Sequence, residues 1–380
     1  MMRAADAVAI AGVAESDEIG KVPGKSSLQH HAEAAHNALA DAGIAIGDVD
    51  GVLTAGYSSM VLSEYLGISP RYTDGTYVGG SSFIIHIAHA SAAIRAGYCD
   101  VALVTHGEAG RSRLGRAVPD PAEPGQQFEV PYGIVNAPVA YALAARRYMH
   151  VYGEERARQA MAEIAVATRK WALLNPKAYM RDPMSFDDYH ASRWVCWPFH
   201  LLDCCIVTDA GGAYVVVSTE RARDIRKKPV WVLGAAEGHD HAIISQMADP
   251  TAPISRETGP RALARAGVTH ADIDLAMIYD SFTYTSLVTL EALGFCGPGE
   301  AADFVAGQRT APGGDFPMNT SGGGLSYTHS GMYGMFLVLE AVRQLRGEAG
   351  ERQLSGPKIA LVNGTGGYLS STGTAVLAVD

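Results

Sequence analysis

Apolar residues in this chain fall into two alternating patterns, short β-branched runs and longer stretches with helical spacing. The opening third reads as strand 7–12, helix 27–42, strand 51–55, helix 82–96 and strand 101–105. Such alternation predicts mostly parallel sheet covered by helices on both faces. A strand over 213–218 closes this set, and a second set runs from a strand at 229–234 to one at 373–378. Two stretches, 82–96 and 332–345, are apolar nearly all round and so predict helices buried on every side.

The second set repeats the first. Leu39-Ala40-Asp41-Ala42-Gly43-Ile44 and Asp48-Val49-Asp50 recur as Leu263-Ala264-Arg265-Ala266-Gly267-Val268 and Asp272-Ile273-Asp274. Glu64-Tyr65-Leu66-Gly67 recurs as Glu291-Ala292-Leu293-Gly294, and Val101-Ala102-Leu103-Val104 as Ile359-Ala360-Leu361-Val362. A period near half the chain is too long for a solenoid and implies two homologous units. The expected organisation is a first half over 1–106 and 203–225, an insertion over 107–202 and a second half over 226–380. The insertion carries a proline-flanked stretch (119–124), helices over 141–149 and 155–171, and a Trp/Pro-rich exit (194–198). Segments this long inside a compact fold usually act as lids. Its Arg146, Arg147, Arg169 and Lys170 either meet phosphates or form a solvated helix face.

Composition narrows the class. With 380 residues and 48% hydrophobic content the chain can bury a large core. A net charge of -10 argues against a nucleic-acid surface. The five cysteines show no C-x-x-C spacing, which signals neither zinc site nor disulfide framework. Residues 1–15 lack the basic start of a signal peptide, and no apolar run approaches the ~20 residues of a membrane span. A cytoplasmic protein with reduced thiols is expected. His86 and His89, one helical turn apart, lack a third ligand in register and read as interior residues; His239-Asp240-His241 reads as a surface loop.

Several motifs together resemble the thiolase superfamily, in its sterol-carrier-protein-X and lipid-transfer-protein branch. Tyr77-Val78-Gly79-Gly80-Ser81-Ser82, followed by an apolar run to Ile94-Arg95-Ala96-Gly97, resembles the thiolase nucleophile region. Leu361-Val362-Asn363-Gly364-Thr365-Gly366-Gly367 resembles the strand and glycine loop of the second thiolase cysteine. Asp203-Cys204-Cys205, Ile278-Tyr279-Asp280-Ser281-Phe282 and the Asn319–Ser326 glycine run ending at His329 are similar to further motifs of that branch. The resemblance covers essentially the whole chain. It implies an α/β thiolase fold, two duplicated halves with five-stranded mixed sheets in αβαβα layers, plus the insertion as a lid.

The departures change the expected chemistry. Gly80 and Asn363 occupy the two cysteine slots, Tyr279 stands for the family's Asn or His, and Gly-His-Pro has become Thr328-His329-Ser330, preceded by Tyr327. Without cysteines there is no acyl carrier of the family's kind, and no motif gives Ser81 or Ser82 an adjacent base. What remains is stabilisation of a thioester enolate, with His329 in an oxyanion hole and Tyr279 and Tyr327 as proton carriers. Asp280, pointing to the other face of its strand, is expected to organise a loop. Substrate contacts are expected from Gly80, Ser81, Ser82, Tyr284, Gly323, Tyr333, Asn363, Gly366 and Gly367, the two glycine pairs leaving room where cysteines once stood.

This combination is similar to the steroid side-chain-cleaving acyl-CoA aldolases. The resemblance implies retro-aldol cleavage of a β-hydroxyacyl-CoA into a ketone or aldehyde and a shorter acyl-CoA. It implies no metal and no tightly bound cofactor, with the coenzyme A thioester as substrate. It further implies a homodimer joined by a small zinc-ribbon/OB-fold partner, which alone holds zinc, in a heterotetramer. Two other readings stand beside it: a subunit of a partner-assisted thiolase or acyltransferase, and a non-catalytic lipid- or acyl-CoA-binding protein.

Overall fold

The computed structural model describes residues 7–112 and 120–380. Pro119 and the first six residues, part of two segments read above, lie outside them. In the first half, β1 (Val8–Glu15), β2 (Gly51–Thr54), β3 (Tyr72–Asp74) and β4 (Val101–Ala109) precede the insertion. The insertion contributes a small hairpin, β5 (Trp194–Cys196) and β6 (Phe199–His200), before β7 (Asp209–Ser218) returns to the sheet. The second half supplies β8 (Val230–His239), β9 (Leu275–Ile278), β10 (Ile359–Gly366) and β11 (Ser371–Ala378).

These strands order as β3-β2-β4-β7-β1 and β8-β11-β10-β9, and two residue pairs between β1 and β8 join the halves edge to edge. Pairing is mixed: β2 runs parallel to β3 and β4, β9 parallel to β10, and the remaining pairs are antiparallel. The second half therefore has four strands rather than the expected five. Where a fifth would lie, Met318 makes a single bridge to Ala276. Pro317 beside it has no N–H to give a ladder, and Asn319 adopts φ 52, which turns the chain away.

Duplication is visible in equivalent contacts. A Cβ on Gly12 of β1 would lie 2.2 Å from the Ala38 carbonyl, and one on Gly234 of β8 would lie 2.4 Å from that of Ala262. Both glycines let a strand press on its outer helix, Ser27–Ala42 in one half and Ser255–Ala266 in the other. Likewise the Asp50 carboxylate accepts the N–H groups of Asp100 and Val101 at the start of β4. Asp274 accepts those of Lys358 and Ile359 at the start of β10.

Between the two halves of this nine-stranded sheet lie the helices Ser82–Arg95 and Gly334–Arg346, which touch strands of both halves. Outer helix, sheet, central helix pair, sheet and outer helix make the αβαβα layering. The insertion's long helices, Ala137–Tyr152 and Glu154–Leu173, do not stand apart as a detached lid. Glu154–Leu173 packs on Thr283–Leu293 of the second half, and the Tyr148 hydroxyl donates to Glu291. Arg169 is buried and donates to Ser326 Oγ at 2.8 Å and to the Asp182 carbonyl at 3.0 Å, so it braces the glycine run. Among the described residues no helix is long and apolar enough to cross a membrane.

Candidate active site

A cavity of about 820 Å³ opens where the N-terminus of the Ser82–Arg95 helix, the ends of β9 and β10, the His329 loop and the insertion converge. Its centre is built by one substitution of space. A Cβ on Gly80 would lie 2.2 Å from Tyr279 Cε2 and 2.6 Å from its oxygen. The Tyr279 ring thus fills the room that a side chain at position 80 would need, and the expected opening there for substrate is taken by a phenol.

The phenol is held on three sides. The Tyr279 backbone N–H donates to the Asn363 carbonyl (3.0 Å), fixing the end of β9 against β10. Its oxygen accepts the Tyr333 N–H at 2.9 Å, at the start of the Gly334–Arg346 helix. On the third side His329 Nε2 lies 3.0 Å away. Burial pushes the phenol well above the ordinary tyrosine range, outweighing the Tyr333 N–H, which favours the phenolate. Burial also lowers His329, to about 4. At neutral pH the imidazole is therefore uncharged, and in the tautomer protonated at Nδ1 its Nε2 accepts the phenol proton.

His329 is pinned from behind. Its backbone N–H donates to Thr208 Oγ1 at 2.9 Å, and its carbonyl accepts the Thr208 N–H at 3.2 Å. The Ser330 carbonyl lies 2.8 Å from His106 Nε2. Asp280 accepts the N–H groups of Gly324 and Leu325 at 2.7 and 3.2 Å, shaping the glycine run as its strand parity suggested. Burial raises its carboxyl to about 7 against those two bonds.

Of the expected site residues, the cavity brings together Gly80, Tyr279, His329, Gly366 and Gly367. The others face elsewhere. Tyr327 leaves the wide turn Gly323–Tyr327 pointing away from the cavity and donates to Glu15, which Arg343 and Lys177 also hold. Burial opposes the Glu15 charge, yet Arg343 and Lys177 keep its carboxyl well below the usual range. Ser81 Oγ pairs with Ser371 Oγ at 2.8 Å, and Ser82 Oγ donates to the Gly79 carbonyl, so neither meets a base. Tyr284 donates to the Pro250 carbonyl at 2.8 Å, and Gly323 leaves room for the Asp280 carboxylate. Tyr333 contributes its N–H to the site, while its hydroxyl goes to Ser321.

Asn363 corrects a parity. Its amide donates to Thr374 Oγ1 at 2.8 Å on the outer side of the sheet. Gly364, one residue on, faces the central helix, with Ser81 Cα 3.2 Å from where its Cβ would be. The glycine pairs do oppose each other, but tightly: a Cβ on Gly79 would sit 2.7 Å from the Gly367 nitrogen.

Sequence reasoning missed Tyr141, Cys205, Ser281 and Thr365, which also line the cavity. For Tyr141 a signal existed: Asn136 followed by Pro138 marks a helix start, which puts Tyr141 close to its first turn. His239 and Asp240 are exposed, as a surface loop implies, and His239 and His241 also line the cavity mouth, His241 bonding Asp240 and the Tyr368 carbonyl. His89 pairs with Asp74 at 2.6 Å beside the buried His86, and no cluster of potential metal ligands occurs among the described residues.

Comparison with known proteins identifies the family. Residues 236–379 match the family Thiolase C-terminal domain-like. The chain is 35% identical to the 17-hydroxy-3-oxo-4-pregnene-20-carboxyl-CoA lyase of Mycobacterium tuberculosis, over 94% of this chain and 96% of that one. It is 36% identical to a steroid side-chain-cleaving aldolase of Thermomonospora curvata, over 95% of each. The solved Ltp2-ChsH2(DUF35) aldolase superposes with a TM-score of 0.91 at 34% identity, over 100% of this chain and 99% of that one.

Proposed function

Because this chain belongs to the thiolase superfamily, in the lipid-transfer-protein branch that includes the steroid side-chain-cleaving aldolases, we infer that it is a thiolase-like carbon–carbon lyase. Its substrate in this reading is a β-hydroxyacyl-CoA, split into a ketone or aldehyde and a shorter acyl-CoA. The observation that carries the reading is the Tyr279 phenol filling the space over Gly80, where a thiolase would hold its nucleophile.

Chemistry then runs through the Tyr279–His329 pair. Tyr279 takes the β-hydroxyl proton as its own proton passes to His329 Nε2. The carbon–carbon bond breaks, its electron pair forming the thioester enolate while the β-carbon becomes a carbonyl. His329 returns the proton to the phenol, and the phenol protonates the α-carbon. One proton has moved from oxygen to carbon, the pair ends as it began, and no bond to the protein forms. In this scheme His329 serves the phenol rather than the enolate oxygen. Enolate charge is met by the N-terminal end of the Ser82–Arg95 helix, whose glycine turn lines the cavity.

A cavity of this size suits a bulky acyl group. Five free thiols fit a reducing compartment, the cytoplasm. The double name of the Ltp2-ChsH2(DUF35) aldolase supports a partner-dependent enzyme, here with a small zinc-ribbon/OB-fold protein that holds the only zinc. Exposed Met60, Val61, Tyr65, Tyr77 and Tyr98 near the free edge strand β3 support a homodimer. The test is product analysis. Purified protein, with and without the partner, should release a carbonyl compound and a shorter acyl-CoA from a β-hydroxyacyl-CoA without added CoA. CoA-dependent cleavage of a β-ketoacyl-CoA would instead show a thiolase, and binding without turnover a carrier.

A further inference from the structure

Tyr141 comes from the insertion, yet it lines the same cavity as Tyr279, whose phenol is pushed up in part by Tyr141. Its ring packs 4.7 Å from that of Phe282, which fixes its direction. Its hydroxyl donates to the Gly367 carbonyl at 3.2 Å. That is long for an O–H···O bond, whose usual length is about 2.7–2.8 Å, so the proton is cheaply redirected to a better acceptor. The Thr365 and Ser281 hydroxyls lie beside it. Thr365 Oγ1 is buried and has no hydrogen bond of ordinary length, a state that native interiors seldom leave unexplained.

Three hydroxyls on one wall form a group that can both donate and accept. That matches a substrate oxygen which begins as an alcohol and ends as a carbonyl. A thioester oxygen, which only accepts, does not need such a mixture. Burial raises the Tyr141 phenol to about 12, with Ser281 and Thr365 partly offsetting it, so at neutral pH it stays protonated and donates. Negative charge appears on the β-oxygen as its proton leaves, and preorganised donors aimed there lower the barrier.

We propose that Tyr141, with Thr365 and Ser281, forms a subsite that binds the β-oxygen of the substrate and selects acyl-CoA thioesters hydroxylated at that carbon. The subsite rests on the lyase reading above. It makes the insertion the source of substrate selection, while the two duplicated halves supply the proton-transfer pair. Tyr141 redirects its proton from the Gly367 carbonyl to the substrate, and Thr365 gains its missing partner.

The experiment compares affinities of a β-hydroxyacyl-CoA and its β-deoxy analogue, by calorimetry, for wild type, Tyr141→Phe and Thr365→Val in the complex with the partner. The wild type should prefer the hydroxylated ligand. Tyr141→Phe should shrink that preference about tenfold, as loss of one hydrogen bond to a substrate oxygen implies. Thr365→Val should shrink it less, and serves alone where Tyr141→Phe fails to fold. An unchanged preference, or equal weakening of both ligands, would overturn the proposal and leave Tyr141 a packing residue. Turnover of the wild type is scored separately. A wild type that discriminates without cleaving sinks the lyase reading and spares the subsite; one that cleaves while the variants keep full preference does the reverse.

Discussion

Tyr279 and Tyr327 are both buried phenols beside glycines, yet their surroundings differ in kind. Tyr279 meets an uncharged imidazole and a backbone N–H at the edge of a cavity. Tyr327 meets a carboxylate that Arg343 and Lys177 already neutralise, sealed from the cavity. The first phenol has a neighbour that can take a proton and an open cavity beside it. The second links β1 to the glycine run across 312 residues of sequence. Proton chemistry follows from the partner and the opening, not from burial of a tyrosine as such.

Substitution breaks this comparison most sharply at the first site. Tyr279→Phe should lower the cleavage rate by about 10²–10⁴-fold, the range for losing a positioned acid–base group, and cost about 1–3 kcal/mol of stability by leaving the buried Tyr333 N–H without its acceptor. Gly80→Ala should act through the same ring. Its methyl must displace Tyr279, so we expect a rate loss of about 10²-fold, as for misplaced reacting groups. Overpacking should add a stability cost of about 1–3 kcal/mol, measured by urea unfolding. Tyr327→Phe should spare the reaction, with rates within a few-fold of wild type. It should lose about 1.5–3 kcal/mol of stability, the worth of a hydrogen bond to a charged group.

Acid pH separates the two regions more gently. His329, with His86 and His106, stays neutral to about pH 4 in the folded chain, against about 6.5 when unfolded. Between these values only the unfolded chain gains the proton, so stability falls as pH drops. His329→Asn should reduce that slope by about 1.4 kcal/mol per pH unit. Asp280, raised to about 7, opposes the histidines in this window in both proteins and cancels from the difference. The Glu15 cluster behaves differently. Its carboxyl is depressed, so its contribution is complete above about pH 4.5 and is lost only below.

What the sequence made legible follows the same division between local and distant causes. Strand–helix alternation and the repeated Asp50 and Asp274 segments are local, and each recurs in the structure. Tyr279 and His329 were found because they stand inside motifs. Tyr327 was misdirected because the turn at Gly323–Tyr327 is wide, and its partner Glu15 lies at the other end of the chain. Asn363 failed on strand parity, where one residue of register reverses the face. Tyr284 sits on a helix buried on all sides, whose apolar pattern names no face. Tyr141 stood in the insertion, which the duplication does not describe.

The central claim is that a phenol has replaced a nucleophile, so that carbon–carbon cleavage proceeds without a covalent acyl-enzyme. Intact-protein mass spectrometry of the complex, quenched during turnover of a β-hydroxyacyl-CoA, tests it directly. We expect the unmodified mass of this chain at every time point while the carbonyl product accumulates. An acyl adduct that forms and decays at the rate of turnover would contradict the account.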